Sequence, residues 1–452
     1  MLPASRRLAD HALATEWADL PPGTQTATLA FLHDTLAVGI AGRNAPNADA
    51  IFAAARGWSG DGGSGVVLGR AGARLTAPHA AFVNAFQIHA QEYDCVHEPA
   101  VAHPMASVAA VLLADACRAP VAGTDFLSAI VGGVDVIASL GVAARGPLKF
   151  FRPATAGIFG SIAALCRQRR LSPEVTTHAL GYGLAFASGT MQAHVEGMPT
   201  LAVQVAAAAR SAVEAVDLAI AGLEGPSGAI EGPFGYCALF ENDVDLPPLL
   251  DRLGEVRRIE EVSWKPFPTG RAAHGAILAL RLLVAENGLT PDQLARFVYR
   301  APPLIHRLVG RRPYAGMSVA YARLCFAWIG AVVLSRGTIG LGDFTPERLS
   351  DPALLALADR IHVEVDDNTD LAAFVPAVGT ATLLDGRTLT HAVSRQFGSP
   401  DWPLSREQHL EKASACLTFG GLAAAHAPLI ALISDLAQED DVAAALTCVL
   451  EG

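Results

Sequence analysis

The densest group of reactive side chains runs from Glu92 to His103: Glu92, Tyr93, Asp94, Cys95, His97, Glu98 and His103 lie within twelve residues. Three carboxylates, a thiol and two imidazoles share a stretch predicted as loop. It ends at a helix start, with Pro104 as first helical residue and His103 at the cap position. Such a terminus offers unpaired N–H groups and the positive end of the helix dipole to an anion. The chemistry that suits this set is proton abstraction from a carbon next to a carboxylate, which needs a base and a cradle for enolate-like charge. Asp94 and His103 are the acid–base candidates, with Glu92 and His97 as ligand-holding candidates. Asp94, Cys95, His97 and His103 are also metal-ligand types, but their spacing matches no standard zinc pattern and no second ligand cluster accompanies them. No metal is expected.

A second cluster is Trp264-Lys265-Pro266-Phe267-Pro268-Thr269-Gly270-Arg271-Ala272-Ala273-His274. Two prolines stiffen a loop holding Lys265, and a helix starting near Gly270 carries Arg271 and His274 in its first turn. Cations there oppose the helix dipole, so local stability does not explain them, whereas a carboxylate ligand does. Lys149, Lys265 and Lys412 are the three lysines of the chain, so each retained one stands out. Arg152, just ahead of another helix start, is a further candidate cation. Ser318 and Tyr321 lie one turn apart on one helix face. The Gly60–Gly72 stretch lacks a GK[ST] element and a preceding strand, so it reads as a turn-rich loop and not as a nucleotide site. No nucleophile-elbow pattern is present either.

The elements that must position these residues fall into two kinds. Up to about residue 250, apolar residues recur at helical spacing over Thr26–Ala41, His103–Arg118, Asp125–Ala144, Ala156–Arg169, Pro173–Ser188 and Thr200–Gly222. After Val256, strand-like segments Glu260–Ser263, Arg296–Tyr299, His362–Val365 and Gly379–Leu384 alternate with helices at Ala272–Glu286, Met317–Ser335 and Pro352–Ile361. Asp385-Gly386 marks a hairpin to Thr388–Val393. Ser405 and Gln408 form a capping box that returns the chain to helix. The expected fold is mainly α with an α+β insertion. Residues 1–262 and 398–452 form a large helical domain, and 263–397 a smaller α+β lid domain.

Composition narrows the function classes. The chain of 452 residues is 51% hydrophobic and 17% charged, which excludes a disordered protein. A formal charge of −11 without a basic block argues against a nucleic-acid or anionic-membrane partner. Seven cysteines with no CxxC pair fit a reducing cytoplasm. Neither a signal peptide nor a run of ~20 uninterrupted apolar residues is apparent.

Together, Thr35-Leu36-Ala37-Val38-Gly39, Ala81-Phe82-Val83-Asn84, the Asp94/His103-Pro104 segment, Lys265-Pro266-Phe267-Pro268, Ser318/Tyr321, Asp385-Gly386 and Pro403-Leu404-Ser405 occur in an order that resembles the MmgE/PrpD family over essentially the whole chain. That family includes 2-methylcitrate dehydratase, cis-aconitate decarboxylase and iminodisuccinate epimerase. The resemblance implies an enzyme without cofactor, usually a homodimer, acting on a small di- or tricarboxylate between a helical and a lid-like domain. It adds Lys265 and Tyr321 to Asp94 and His103 as catalytic residues. Arg271, His274, Ser318, Arg152 and Gln204 join Glu92 and His97 as substrate-binding candidates. The chain departs from the family pattern at Cys95, Val96 and Met105, at Arg152 and Gln204 (each where a His is usual), and at Leu201 (where a Lys is usual). A dehydratase-like lyase is the expected activity. Epimerase, cis-aconitate decarboxylase-like lyase and a catalytically lapsed polycarboxylate-binding paralogue are the alternatives.

Overall fold

The computed structural model describes residues 2–450 apart from 369, 371 and 372. Its buried apolar residues gather into two clusters. The larger is helical. At its centre the Ala-dense helix Thr200–Ile220 lies against Ala77–His89, Pro104–Ala116, Gly157–Gln168 and Pro173–Phe186. Small side chains let these backbones approach closely, and the apolar interior is the main stabilising term. Helix Arg406–Phe419, near the other end of the chain, packs on Pro22–Ala41 and completes this core. Its start carries the expected Ser405/Gln408 capping box. Helix Gly123–Ala143 is long and apolar enough to cross a membrane, yet it is buried inside the protein. Its Asp135 accepts hydrogen bonds from His11 and the Arg258 amide.

The second cluster surrounds a four-stranded sheet in the order Ile361–Val365, Leu294–Ala301, Ala377–Leu383, Thr388–Val393. The first pair is parallel and the other two antiparallel, and the last pair is the hairpin around Asp385-Gly386. Helices His274–Asn287 and Phe326–Arg336 pack against this sheet. The chain leaves the helical core near Trp264 and returns near Gly398, and the Trp264 amide donates to the Gly398 carbonyl at 2.7 Å. Gly398 has φ 92°, and a Cβ there would meet the Trp264 carbonyl oxygen at 2.6 Å, so only glycine fits this crossing.

Two expected elements are corrected. Glu260–Ser263 is no strand: Arg258–Glu261 forms a 3-10 turn, and Ser263 makes one isolated bridge to Val96. Met317–Ser335 is not one helix but two, Val319–Ala322 and Phe326–Arg336. The break turns Arg323 inward, where it donates to the carbonyls of Gln91 and Pro268 and so ties the two sequence clusters together.

Candidate active site

The loop from Glu92 to His103 is held in a strained shape. Glu92 and Val101 both have φ 49°, a left-handed conformation that a β-branched residue such as Val rarely adopts. Inside this span His97 and Ala102 exchange two backbone hydrogen bonds. His97 accepts from the Ala100 amide through Nδ1, and its Nε2 pairs with Glu261 at 3.0 Å. Arg152 donates to the Ala100 carbonyl at 2.9 Å and makes a two-pronged ion pair with buried Glu241 at 2.8 and 2.9 Å. His97 and Arg152, expected at the ligand, are instead the anchors of the loop that carries the reactive groups.

That loop presents Asp94 to two imidazoles. Oδ2 of the fully buried Asp94 lies 3.0 Å from Nδ1 of His103 and 3.0 Å from Nδ1 of His89. His89 is the last residue of helix Ala77–His89 and was not singled out from sequence. The one available signal is its place five residues before Asp94, at the end of a largely buried, apolar helix. Burial raises the Asp94 carboxyl, but His103 and His89 outweigh it and hold Asp94 well below its usual range. An ionised Asp94 accepts only, so both Nδ1 atoms carry protons and both Nε2 atoms are left for other partners. The two imidazoles move apart in affinity. In His103 burial prevails and lowers the pKa; in His89 burial is outweighed by Asp94 and the pKa rises. The opposite shifts favour the neutral form in His103 and the charged form in His89, which makes His103 the better base and His89 the better acid of the pair.

Lys265 closes the site from the crossing loop. Its buried Nζ donates to Glu92 at 2.8 Å and lies 4.0 Å from Asp94 Oδ1. Burial opposes charge on Glu92, but Lys265 prevails and lowers its pKa to about 2. Asp94, His89 and His103 offer three ligand atoms within 4.8 Å of one another. The Lys265 ammonium 4.0 Å from the shared carboxylate repels a divalent ion there, and the set suits proton transfer better.

Glu92, His89 and His103 line a cavity of about 80 Å³ between the two apolar clusters. Arg271 lies on its wall. Nε of Arg271 donates to Glu98 at 2.7 Å, Nη1 donates to the carbonyls of Trp264 and Phe397, and buried Nη2 has no partner. His274 stands behind it, with Nε2 directed at the Thr269 carbonyl and Nδ1 3.2 Å from Arg271. Burial and then Arg271 keep His274 well below the ordinary imidazole value, so it is a neutral prop for the guanidinium. His194 on the same wall is lowered to about 4 by burial and Arg311, and neither His194 nor Arg311 was found from sequence.

Three further expectations are placed elsewhere. Gln204 accepts from the Thr190 amide at 2.6 Å and lines neither this cavity nor its neighbour. The Tyr321 hydroxyl donates to the Arg312 carbonyl at 2.8 Å, its ring lies under Arg311, and it lines neither cavity. Ser318 caps the short helix through Tyr321 and donates to the Gly197 carbonyl; it borders a second cavity of about 70 Å³, which shares His89, Glu92 and Leu201 with the first.

Comparison with known proteins bears on this arrangement. Residues 6–248 match the MmgE/PrpD N-terminal domain and residues 267–433 the MmgE/PrpD C-terminal domain. The chain belongs to the MmgE/PrpD family. Among its relatives, human cis-aconitate decarboxylase is 29% identical over 409 residues, spanning 86% of this chain and 82% of that protein. The mouse cis-aconitate decarboxylase is 28% identical, spanning 78% and 74%. The cis-aconitate decarboxylase-like protein oryM of Aspergillus oryzae is 26% identical, spanning 76% of each chain. The family boundary between residues 248 and 267 falls at the segment leading into Lys265, where the chain passes from one apolar cluster to the other.

The opposed imidazoles predict the pH profile. His103 must be neutral and His89 charged, so kcat/KM falls on the acid side below the ordinary imidazole value of about 6.5 and on the alkaline side above it. A pH–rate profile of the wild-type protein checks this. A profile with a single limb contradicts the pairing.

Proposed function

We propose that this family member is a lyase that eliminates water from a small hydroxy-polycarboxylate, in the manner of a 2-methylcitrate dehydratase, with no cofactor taking part. The observation that carries the reading is the pair of imidazoles on Asp94, shifted in opposite directions and facing the cavity beside Arg271. His103 Nε2 takes the proton from the carbon next to a carboxylate. His89 gives its Nε2 proton to the departing hydroxyl, and the C–H and C–O bonds break to leave a double bond and water. The pair begins and ends the step with one imidazolium, so Asp94 faces a constant positive charge throughout. Lys265 and the imidazolium stabilise enolate-like charge, and the free Nη2 of Arg271 holds a carboxylate.

Decarboxylation is a second reading, favoured by the cis-aconitate decarboxylases among the relatives. It uses only the acid: carbon dioxide leaves and His89 protonates the carbon. Proton NMR in deuterium oxide with hydroxy-, imino- and unsaturated di- and tricarboxylates tests both. New vinyl signals without loss of carbon dioxide support elimination, whereas carbon dioxide release with deuterium at the product carbon supports decarboxylation. An inverted centre without either replaces the lyase by an epimerase. No exchange or product on any tightly bound acid leaves a binding protein.

A further inference from the structure

The charge on the cavity walls restricts what can enter. Arg271 is the one Arg or Lys on the wall of either cavity among the described residues. Glu98, paired with it at 2.7 Å, faces the same space, as does Glu92. Lys265 lies behind the wall and is already shared between Glu92 and Asp94. Lys265, Arg271 and a charged His89 thus balance Glu92, Asp94 and Glu98 before any substrate arrives. Two cationic groups remain for substrate carboxylates: Arg271, through its free Nη2, and the His89 imidazolium, whose charge offsets the carboxylate beside the reacting carbon while its Nε2 proton is kept for the leaving hydroxyl. Apart from His103 and His194, an imidazole lowered to about 4 by burial and Arg311, the rest of the first cavity is lined mainly by apolar side chains, with Leu148, Phe151, Met191, Leu201 and Phe374 on its wall. A third carboxylate placed there would be desolvated with no cation to meet it, among carboxylates of the protein.

From this we infer that the substrate is a dicarboxylate bearing an apolar alkyl substituent, which lies against Leu201, and not a tricarboxylate. The inference rests on the lyase reading and narrows its substrate class. Leu201 is the specificity-determining residue because it borders both cavities. The second is also largely apolar on its far side, with Phe86, Met198, Ala202 and Val319. Shortening Leu201 therefore joins two spaces and lengthens the room for an alkyl chain.

The test pairs acids that differ in one substituent. Citrate is compared with 2-methyl-, 2-ethyl- and 2-propylmalate, and cis-aconitate with methyl- and ethylmaleate, by NMR turnover and by calorimetric Kd on the full chain. The alkyl acids are expected to exceed the matched tricarboxylates by about 10-fold or more in kcat/KM, the scale on which pockets discriminate substituents. Leu201→Lys reverses that order, and Leu201→Ala moves the optimum to a longer chain. Leu201→Gln, smaller in perturbation, narrows the preference if the Lys variant does not fold. Wild-type preference for the tricarboxylates overturns the inference, and so does an order that Leu201→Lys leaves unchanged. Binding in the expected order without turnover on any acid sinks the lyase reading and leaves the substrate class standing. Failure of every acid to bind overturns the inference.

Discussion

Asp94→Asn is expected to lower kcat/KM by about 10³- to 10⁴-fold, the range seen when the anion behind a catalytic imidazole becomes neutral. Asp94 is fully buried, and its Oδ2 accepts from both His89 and His103. An amide of the same shape keeps the packing but removes the charge that offsets the imidazolium of His89. The His89 pKa falls, and the alkaline limb of the pH profile moves to lower pH. KM changes little, because Asp94 lies behind the imidazoles and not on the cavity wall. Steady-state kinetics across pH checks each part, with circular dichroism to confirm that the variant is folded. A kcat/KM within a few-fold of wild type would falsify the role given to Asp94. His103→Ala, which removes the base itself, is expected to fall as far or further.

Arg152→Leu is expected to act on stability. The guanidinium is buried, pairs with Glu241, itself 4% exposed in its side chain, and holds the Ala100 carbonyl. Removing it leaves Glu241 charged and largely enclosed, with the Tyr236 hydroxyl still donating to one oxygen. Breaking a buried pair in this way costs about 3–5 kcal/mol. Urea unfolding of the single variant measures the loss. The double variant Arg152→Leu/Glu241→Leu recovers most of it, because the stranded charge is gone. If Arg152 held substrate instead, the single variant would raise KM and leave the unfolding midpoint in place.

The contrast between Asp94 and Arg152 shows what sequence could convey. Residue type and proximity in the chain point to Asp94, His103, Glu92, Lys265 and Arg271; the structure puts Glu92, His103 and Arg271 on one cavity wall, with Asp94 and Lys265 hydrogen-bonded behind it. The scarcity of lysine was a sound guide: Lys265 and Lys412 are buried and paired, and only Lys149 hydrogen-bonds Asn242 at the surface. Sequence also located the helices of the body and the Asp385-Gly386 hairpin, because period and turn chemistry are local properties. Partner choice is not local. Nothing near Arg152 in the chain reveals Glu241, which is 89 residues away, nor does anything near His97 reveal Glu261. His89 stayed hidden because it belongs to an apolar helix, and only the fold turns that helix end toward Asp94. A catalytic role for Tyr321 is implied by the family resemblance, and in the fold its hydroxyl donates to the Arg312 carbonyl.

Lys412 carries a consequence for how the protein is made. Its Nζ bonds Asp34 and the carbonyl of Tyr93, between Glu92 and Asp94, and lies 4.3 Å from the Tyr93 ring. Lys412 and Tyr93 are 319 residues apart. At about 5–20 residues per second, the ribosome extends the chain for tens of seconds after the reactive loop emerges before it supplies the lysine that pins it. Through that interval Asp34 is without its cation and the strained loop without its clamp. The helical body can collapse early on its own apolar helices, but the centre is completed last, by a helix from the far end of the chain. A polypeptide released before residue 412 would carry the other anchors of the reactive loop, His97 on Glu261 and Arg152 on Ala100, and still leave Asp34 and the Tyr93 carbonyl without the lysine that joins them.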